Sequence, residues 1–487
     1  MQFGELIRKV VRRLVPSKDM KEALGFQPAV SGTMDNAISD WIDMYMNQPP
    51  WRKGDVKCLN LPAAVCSEMA RLVMTEFQYS VSGSPRADYI AESFRKKLVH
   101  GLRRKLEYGL AGGTFVIKPY YNGTGLEADF VRADRAHPLS FNDDGEVTKI
   151  AFDDFEMVGD TRYTRFEVHT YSPDGTYTVE NFAFKQKHYA GVTAFGSGDG
   201  GVDRLGTPCS LKEVKRWENL ETKTSLENIP CPLFAFGRNP AANNIDPDSV
   251  MGMSVFGKAV DQIRDCDEQW ARIQWEYKSK ETALQVSKRA LNKDRKGNPI
   301  LDEHEKLLFE IFNFDIEDGK LADFIKEWSP DIRDSSLFNG LNKMLQRVEF
   351  NCGLAYGTLS DPQIVDKTAE EIRSAKQRSY SVVCDLQEEV QRCLELTVQI
   401  MDVYCTLYGL APEGNVETSF SWGDGILEDA DKEFTRRKQM ADSGYINKIE
   451  LVKYYFGVTE EDARALMPAA ALSGEPPDER DPFRDTE

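Results

Sequence analysis

The chain has 487 residues, more than one ordinary domain needs, and can bury a substantial core across several modules. Hydrophobic residues make up 41% and charged residues 29%, as in soluble globular proteins, and no stretch approaches the roughly 18 to 20 apolar residues of a membrane span. The 61 basic and 79 acidic residues give a net charge of −18, which argues against tight, sequence-independent binding of nucleic acid by the bulk surface. Any contact with nucleic acid is therefore expected to be local or weak.

The first 16 residues, MQFGELIRKVVRRLVP, combine apolar positions at helical spacing with basic side chains. They contain no uninterrupted apolar core and no small-residue cleavage site, so no secretion signal is predicted. A helix docked on its own protein is favoured over a membrane-surface helix, and no membrane partner is predicted.

Helical and β-type patterns alternate in the first half of the chain. A helix is predicted over 60–77, because Asn60 as a capping residue and an early proline precede apolar positions at helical spacing. Short β-type runs over 112–184, with a turn at 172–175, predict an antiparallel α+β region. The Gly-, Ser- and Asp-rich segment 190–207 is typical of a loop.

The texture becomes helical again after Met251. A long helix is predicted over 255–280 and a second helix over 335–352. Between them, TALQVSKRAL and KLLFEIFNF are β-like runs joined through a Lys-Gly-Asn-Pro turn at 296–299, which predicts a small insertion between the helices.

The last third begins with a Gly- and Pro-containing interruption at 353–366. The longest helix candidate follows over 367–407, with a single apolar stripe that predicts one buried face. Strand character returns at 416–422, the segment 427–467 is helical, and the polar residues 473–487 are predicted to be a disordered tail. The predicted fold class is α+β.

The clearest enzyme-like motif is GMSVFGKA at 252–259. It satisfies the GxxxxGK pattern of a phosphate-binding loop, but Ala259 replaces the Ser or Thr whose hydroxyl helps hold magnesium. The preceding residues, NNIDPDSV, do not form the apolar strand that such a loop needs. A helix start capped near Ser254 or Asp248 is favoured over nucleotide binding.

Other catalytic or zinc-binding patterns are incomplete. His304-Glu305 begins a zinc-protease motif, but position 308 is leucine and the second imidazole is missing. The five histidines lie in different regions, so a Ser/His or Cys/His pair would need a tertiary coincidence. The nine cysteines form no CxxC pair and are interpreted as reduced, mostly buried thiols.

Paired aspartates at 143–144 and 153–154 could in principle bind a metal, as carboxylate pairs do in nucleases. Both pairs lie beside turn-like segments, so solvated loops are favoured. The basic clusters 95–97 and 103–105 form the strongest positive run, for which a solvated helix face is favoured over contact with phosphate or an acidic neighbour. No catalytic residue, metal site or cofactor is predicted, and the chain is expected not to be an enzyme.

Six segments, in order from Leu61 to Met467, carry a resemblance to a known family. They are LPAAVCSEMARLVMTEF at 61–77, the β stretch with RFEVHTY and YTVENFAF, LFAFGRNPAANNIDPDSVMGMSVFGKAVDQI at 233–263, EWSPDIR at 327–333, DKTAEEI at 366–372 and SFSWGDGILED at 419–429. Together they resemble the portal proteins of tailed bacteriophages of the kind that infect Firmicutes. The near phosphate-binding loop falls inside one of these segments, which further weakens an ATPase interpretation.

The resemblance implies a ring-forming portal fold of the α+β class. Its modules would be a wing over 1–253, stem helices over 254–281 and 332–352, a small α/β clip over 282–331, a tunnel loop over 353–366, a long helix and a strand returning to the wing over 367–425, a helical crown over 426–472 and a tail over 473–487.

The implied function is a homo-oligomeric ring, dodecameric in the virion, that is assembled in the host cytoplasm and occupies one capsid vertex. Double-stranded DNA would be packaged, retained and ejected through it, without sequence specificity. The implied partners are the large terminase subunit on the clip, head-completion or adaptor proteins that take its place, and the major capsid and scaffolding proteins.

The tunnel loop supplies the candidates for contact with DNA in the channel. Lys367, at the start of the following helix, is the best candidate for a phosphate contact, and a solvated helix-end lysine is weighed equally against it. Gly353 and Gly357 could let the loop shift between subunits, since glycine relaxes the backbone. Asp361 and Asp366 keep the loop acidic, so DNA can slide, whereas many Lys or Arg contacts would retard it.

Two other functions stay open. The first is a nucleotide-driven DNA translocase or nuclease, which the near phosphate-binding loop and the paired aspartates suggest. The second is a monomeric adaptor of the virion.

Overall fold

The computed structural model describes residues 25–26, 29–52, 57–187, 205–280, 283–287, 308–312, 325–328, 331–361, 369–422, 437–456 and 464. The chain divides into a large unit, Met1–Ser421, and a small unit, Trp422–Glu487. Helices and mostly antiparallel sheets confirm the α+β class. Within the described ranges no helix is long and apolar enough to cross a membrane. Several predictions lie outside these residues: the helix over 1–16, most of the loop over 190–207, the turn at 296–299, His304, Asp366, Lys367 and the tail.

Four helices open the large unit: α1 (Gly32–Tyr45), α2 (Leu61–Val73), α3 (Pro85–Lys97) and α4 (Leu102–Gly112). The hydroxyls of Ser31 and Ser84 accept hydrogen bonds from the first-turn amides of α1 and α3, and so cap these helices. Asn60 precedes α2 as predicted, but its side chain makes no capping bond, because its backbone is left-handed at φ 58° rather than extended. The early Pro62 and the buried apolar face of α2 carry its start instead.

The largest sheet is antiparallel and confirms the predicted β region. Its strands are β4 (Ala136–Phe141), β5 (Val147–Val158), β6 (Thr161–Tyr171), β7 (Tyr177–Lys187) and β8 (Thr207–Cys209) in this order, with β9 (Lys223–Leu226) also paired to β7. The predicted turn joins β6 to β7, where the amide of Gly175 donates to the carbonyl of Ser172 and φ of the glycine is 82°. The strands bury apolar clusters around Phe166 and around Phe152.

Two of the smaller sheets of the large unit are antiparallel throughout. In one, β10 (Ala235–Arg238), β2 (Thr114–Tyr121) and β3 (Leu126–Arg132) pair in that order and antiparallel. In the other, β1 (Gln78–Ser82) pairs with β14 (Glu417–Ser421), which is the strand predicted over 416–422. The last strand of the large unit, β14, therefore pairs with its first strand, β1.

Three predicted long helices are present. They are α5 (Val260–Ser279), α6 (Asp334–Cys352) and α7 (Ala369–Tyr408). Helices α5 and α6 form an antiparallel hairpin, since Gln262 contacts Asn351 near one end and Glu276 contacts Arg333 near the other. The small unit contains α8 (Lys448–Phe456).

The insertion between α5 and α6 has three described strands, β11 (Ala283–Ser287), β12 (Leu308–Phe312) and β13 (Ile325–Trp328), in the order β12-β11-β13. The strands β11 and β12 are parallel to each other, so they do not form the hairpin that a connecting turn would produce. A parallel pair needs a crossover of about a dozen residues or more, not a tight turn. The third strand, antiparallel to β11, was missed.

Candidate functional site

The loop that follows α6 is organised by a carboxylate that sequence reasoning did not single out. Glu349 is completely buried. Its Oε1 accepts hydrogen bonds from the backbone amides of Gly357 at 3.1 Å, Leu359 at 2.6 Å and Ser360 at 2.8 Å. Its Oε2 accepts from the Ser360 hydroxyl at 2.9 Å. One side chain therefore fixes the described part of the loop.

The ends of the described loop are held by further contacts. Gly353 ends α6 with φ 72°, and a Cβ at this position would lie 2.9 Å from a methyl group of Val382. The amide of Leu354 donates to the Glu349 carbonyl at 2.9 Å, which completes a Schellman-type cap. The Asp361 amide donates to Asn342 Oδ1 at 2.7 Å.

These contacts bear on the predicted channel residues. Gly353 forms the turn at the end of α6, and the amide of Gly357 donates to Glu349. Asp361 is exposed. Asp366 and Lys367 lie outside the described residues. Because Glu349 already occupies the amides of Gly357, Leu359 and Ser360, DNA contact here would depend on exposed side chains. That contact stays a prediction.

The segment that resembles a phosphate-binding loop is packed into the protein. Its backbone groups are used internally: the amide of Gly252 donates to the Thr114 hydroxyl at 2.8 Å, and the amide of Val255 donates to the Leu110 carbonyl at 3.2 Å. A Cβ at Gly252 would lie 2.3 Å from the carbonyl oxygen of Gly113, so this glycine permits close packing. Residues 251–256 are all buried.

The predicted helix start after this segment is present. A 3₁₀ turn, Gly257–Ala259, leads directly into α5 and has no side-chain cap of its own. The Ser254 hydroxyl accepts a hydrogen bond from the amide of Phe256 at 3.4 Å, just before that turn. Of the two predicted capping residues, Ser254 and Asp248, Ser254 is therefore the one that contacts the start of the helix. The glycines and the serine thus serve packing and helix initiation.

One of the two aspartate pairs was misinterpreted. Asp153 and Asp154 lie within strand β5, not in a solvated loop. Asp153 Oδ1 lies 3.0 Å from His137 Nε2, and Asp154 carboxylate oxygens lie 3.3 Å from Arg135 and from Arg216. Burial alone would raise the pKa of Asp153, but the hydrogen bond and charge of His137 lower it below its usual value.

This pair does not resemble a metal site. Both carboxylates already contact cationic side chains, since Arg135 lies 3.6 Å from Asp153 and 3.3 Å from Asp154, and Arg216 also contacts Asp154. No cluster of metal-ligating side chains occurs among the described residues. The other pair, Asp143 and Asp144, lies in the exposed turn between β4 and β5, as predicted.

A buried polar chain lies next to these strands. Glu167 Oε1 lies 2.9 Å from Lys118 Nζ and 2.6 Å from His169 Nε2, whose Nδ1 lies 2.6 Å from the hydroxyl of Tyr177. Burial opposes the charge of Glu167, but Lys118, His169 and Arg165 hold its pKa well below the usual range. Burial also lowers the pKa of His169, so the imidazole is neutral near pH 7.

The Glu-His-Tyr order invites comparison with a catalytic triad. The Tyr177 side chain is completely buried, and burial raises the pKa of its hydroxyl well above the usual value. A nucleophile needs access and an activated oxygen, and this group has neither. The chain of hydrogen bonds therefore stabilises the sheet. Sequence reasoning could have noted only that Glu167 and His169 share one face of a strand.

The basic clusters lie at the end of α3 and the start of α4. All their side chains are exposed except Lys105, which is partly buried. Lys96 pairs with Glu92 one helical turn earlier, and Lys97 Nζ lies 2.6 Å from Glu127. This arrangement favours the solvated helix face. The nine cysteines are all free thiols, five of them buried, as predicted.

The hairpin of α5 and α6 exposes large apolar side chains. Trp275 is 67% exposed and Phe350 48% exposed, and three more lie on the same hairpin or at its start: Tyr277, Ile332 and Phe338. The ends of the hairpin near the insertion are held together by Glu276, which pairs with Arg333 at 2.9 Å and with Lys280 at 2.6 Å. Trp275 therefore lies near the insertion and Phe350 near the opposite end of the hairpin, where the Arg378 guanidinium lies 4.2 Å from the centre of the Phe350 ring.

The comparisons with known proteins identify no family. No protein-family model matches the chain, and no curated protein matches it. One solved structure to which the chain is similar is the virion of a native gene transfer agent particle, with a TM-score of 0.41, 11% identity, and coverage of 91% of this chain and 99% of that chain. At this identity and TM-score, the similarity assigns no function to the chain.

Proposed function

We propose that the protein is a bacteriophage portal protein that forms a ring-shaped conduit for double-stranded DNA at a capsid vertex. The ordered series of portal-like segments from Leu61 to Met467 is the basis of this proposal. In the structure, the exposed aromatic side chains on the hairpin of α5 and α6 give the strongest support for this proposal. Large exposed apolar side chains gathered on one element are typical of interaction surfaces.

A second copy of the chain is the partner that the charges of the hairpin favour. On α5, Asp265 and Glu268 are exposed acidic residues, and Glu268 also lies 3.7 Å from the exposed Arg272 of the same helix. On the exposed face of α6, Lys343 and Arg347 are basic and lie at a comparable height along the hairpin, between the contacts of Asn351 and Leu337 with α5. Unlike surfaces that meet head to tail generate rings when the rotation closes.

The loop held by Glu349 follows directly after α6 and would face the channel. Its described part carries the exposed Asp361 and offers few cationic groups, which suits passage of DNA better than retention. Lys367 is the proposed phosphate contact. The insertion between α5 and α6 would receive the terminase large subunit and later a head-completion protein, while the wing and crown would meet capsid and scaffolding proteins.

We also propose that the protein is not an enzyme. The translocase alternative depends on residues 252–259. Two amides of this segment, those of Gly252 and Val255, donate to Thr114 and Leu110 instead of being free to bind a phosphate. ATP hydrolysis by the purified protein that is lost in Lys258→Ala would favour the translocase and contradict this proposal.

Imaging of the purified full chain by negative-stain electron microscopy, with mass photometry, tests the main proposal. We expect rings with a central hole. Trp275→Ser, which removes the most exposed hairpin aromatic, should shift the mass distribution toward smaller species, because it removes apolar area that the interface buries.

Met157→Ser provides the matched control, since Met157 is an exposed apolar residue of the β5 strand, at 41% exposure. It should leave the rings intact. Monomers alone under all assembly conditions would contradict the portal proposal and favour the monomeric adaptor.

A further inference from the structure

A cavity of about 540 Å³ lies between α4, β2, β3, β5 and β6 in the large unit, away from the loop and the hairpin described above. Its lining is dominated by charged side chains. Six are cationic: Lys105, Lys118, Arg132, Arg135, Arg165 and Arg216. Four are acidic: Asp129, Asp153, Asp154 and Glu167. In a chain with net charge −18, this lining carries an excess of two positive charges.

The arginines of the lining are not saturated by their acidic neighbours. Among the described residues, the buried Nε atoms of Arg135 and Arg165 make no hydrogen bond, although Arg135 Nε lies 3.6 Å from a carboxylate oxygen of Asp153. Arg165 Nη2 is 3.0 Å from Glu167, and Arg135 Nη2 donates to the Asp153 carbonyl at 2.6 Å, so these contacts orient both guanidinium groups at the cavity wall. A buried N–H without an acceptor is unfavourable, and a bound oxyanion would supply one.

The mouth of the cavity carries a cation that an incoming ligand can reach. Arg216 is 66% exposed, and its Nη1 lies 3.3 Å from Asp154, the carboxylate that Arg135 also contacts. Guanidinium groups bind carboxylate and phosphate oxygens through parallel N–H donors, and several such groups around one space suit a ligand with several oxygens.

We propose that this cavity binds an oxyanion with several acceptor oxygens, namely phosphate or the phosphate group of a phosphomonoester. The lining has six cations and four carboxylates, and Asp134 pairs with Arg132 at 2.7 Å, so an excess of one positive charge remains that favours an anion. The donors come from separate elements, α4, β6, the turn before β4 and the segment after β8, and so approach from several directions, as the tetrahedral arrangement of phosphate oxygens requires. A metal ion does not fit, because three of the four carboxylates of this lining, Asp153, Asp154 and Glu167, are already paired with cations.

Isothermal titration calorimetry of the full chain with sodium phosphate, in chloride buffer of constant ionic strength, tests the proposal. We expect saturable binding of one phosphate per chain. Arg216→Ala should weaken the affinity about tenfold or more, because it removes a charge-assisted hydrogen bond to the anion.

The control variant is Arg272→Ala. Arg272 is 67% exposed and pairs with Glu268 on α5, so it matches Arg216 in exposure and in having an acidic partner, but lies on the hairpin. The Arg272→Ala variant should bind phosphate with the same affinity as the unmodified chain. Lys105→Met, at the α4 wall, is a second variant that should also weaken binding, and circular dichroism confirms that each variant is folded.

A nucleoside 5′-monophosphate and the same nucleoside without phosphate distinguish the sources of the ligand. Tighter binding of the nucleotide than of phosphate would identify a nucleotide site, and equal binding would identify a site for the phosphate group alone. Absence of saturable phosphate binding, equal weakening in Arg216→Ala and Arg272→Ala, or binding of the bare nucleoside would overturn the proposal. Since these outcomes concern only the cavity, they are independent of ring formation.

Discussion

At the scale of single residues, the least predictable features are buried charges. Glu349 lies in helix α6 and Glu167 in strand β6, and both have polar neighbours in the sequence. A charged residue in such a sequence is usually exposed to solvent. Their burial depends on partners that sequence does not indicate, since Lys118 is 49 positions away from Glu167 along the chain. By contrast, the defect of the near phosphate-binding loop at Ala259 was visible in sequence because its motif has a fixed spacing.

The role of Glu349 predicts a loss of stability on truncation. Glu349→Ala removes the acceptor of the partly buried Leu359 amide and of the buried amide and hydroxyl of Ser360, and should lower the free energy of unfolding by about 3 kcal/mol or more. Urea unfolding followed by circular dichroism measures the change. Glu268→Ala, at an exposed glutamate of α5, should change it by less than about 0.5 kcal/mol. Equal unfolding midpoints for the two variants would contradict the role assigned to Glu349.

The buried chain around Glu167 predicts acid sensitivity. The lowered pKa of His169 means that the unfolded chain takes up this proton first, so the stabilisation is complete above about pH 6.5 and is lost as pH falls toward the folded pKa. The lowered pKa of Glu167 adds stability above about pH 4.5 that is lost at lower pH. The urea midpoint should therefore fall steadily from pH 7 to pH 3.

Replacement of His169 separates the two contributions. His169→Asn removes the titrating imidazole, so the urea midpoint should depend less on pH between 7 and 5 than in the unmodified chain. The exposed His100 provides the control, and His100→Asn should keep the original slope. An unchanged slope in His169→Asn would show that other groups cause the acid sensitivity.

At the scale of elements, periodicity predicted the three long helices α5, α6 and α7 well, but it did not predict α1. Helix α6 begins and ends within one residue of the predicted range 335–352, and α7 covers nearly all of 367–407. A long apolar stripe has only one structure that buries it, so the pattern alone suffices. The insertion between α5 and α6 was harder, because short β-like runs do not reveal whether their neighbours are parallel, and the four-residue β13 has too few residues for a pattern.

The packing between the α4–β2 turn and the segment before α5 predicts a difference between two glycines. Gly113 and Gly123 both have positive φ, 76° and 90°. An added Cβ at Gly113 would lie 2.4 Å from the backbone of Gly252 and Met253, whereas nothing lies within 4 Å at Gly123. Gly123→Ala should therefore lower the free energy of unfolding by about 1 kcal/mol through backbone strain alone. Gly113→Ala should lower it by at least about 2 kcal/mol more. Similar losses in urea unfolding would refute the close packing.

At the scale of the whole molecule, composition predicted an acidic globular chain but not where its charges lie. The same net charge of −18 is compatible with a uniform surface or with acidic and basic faces on the two helices of one hairpin. Only the structure brings α5 and α6 together, because 54 residues separate the end of one helix from the start of the other. Fold class and helix positions were therefore accessible from sequence, whereas the candidate interface was not.

The charge arrangement of the hairpin leads to a prediction for assembly. If the acidic face of α5 meets the basic face of α6 in the next subunit, Asp265→Lys with Glu268→Lys places like charges across every interface and should abolish rings. Lys343→Glu with Arg347→Glu should abolish them for the same reason. An equimolar mixture of the two variants should restore rings, because each interface of an alternating ring pairs opposite charges. The two variants can alternate only in rings with an even number of subunits. Electron microscopy of the mixture should therefore show only even-numbered rings, whether or not the unmodified chain also forms odd-numbered rings. Rings from either variant alone at low salt would rule out this pairing of α5 with α6.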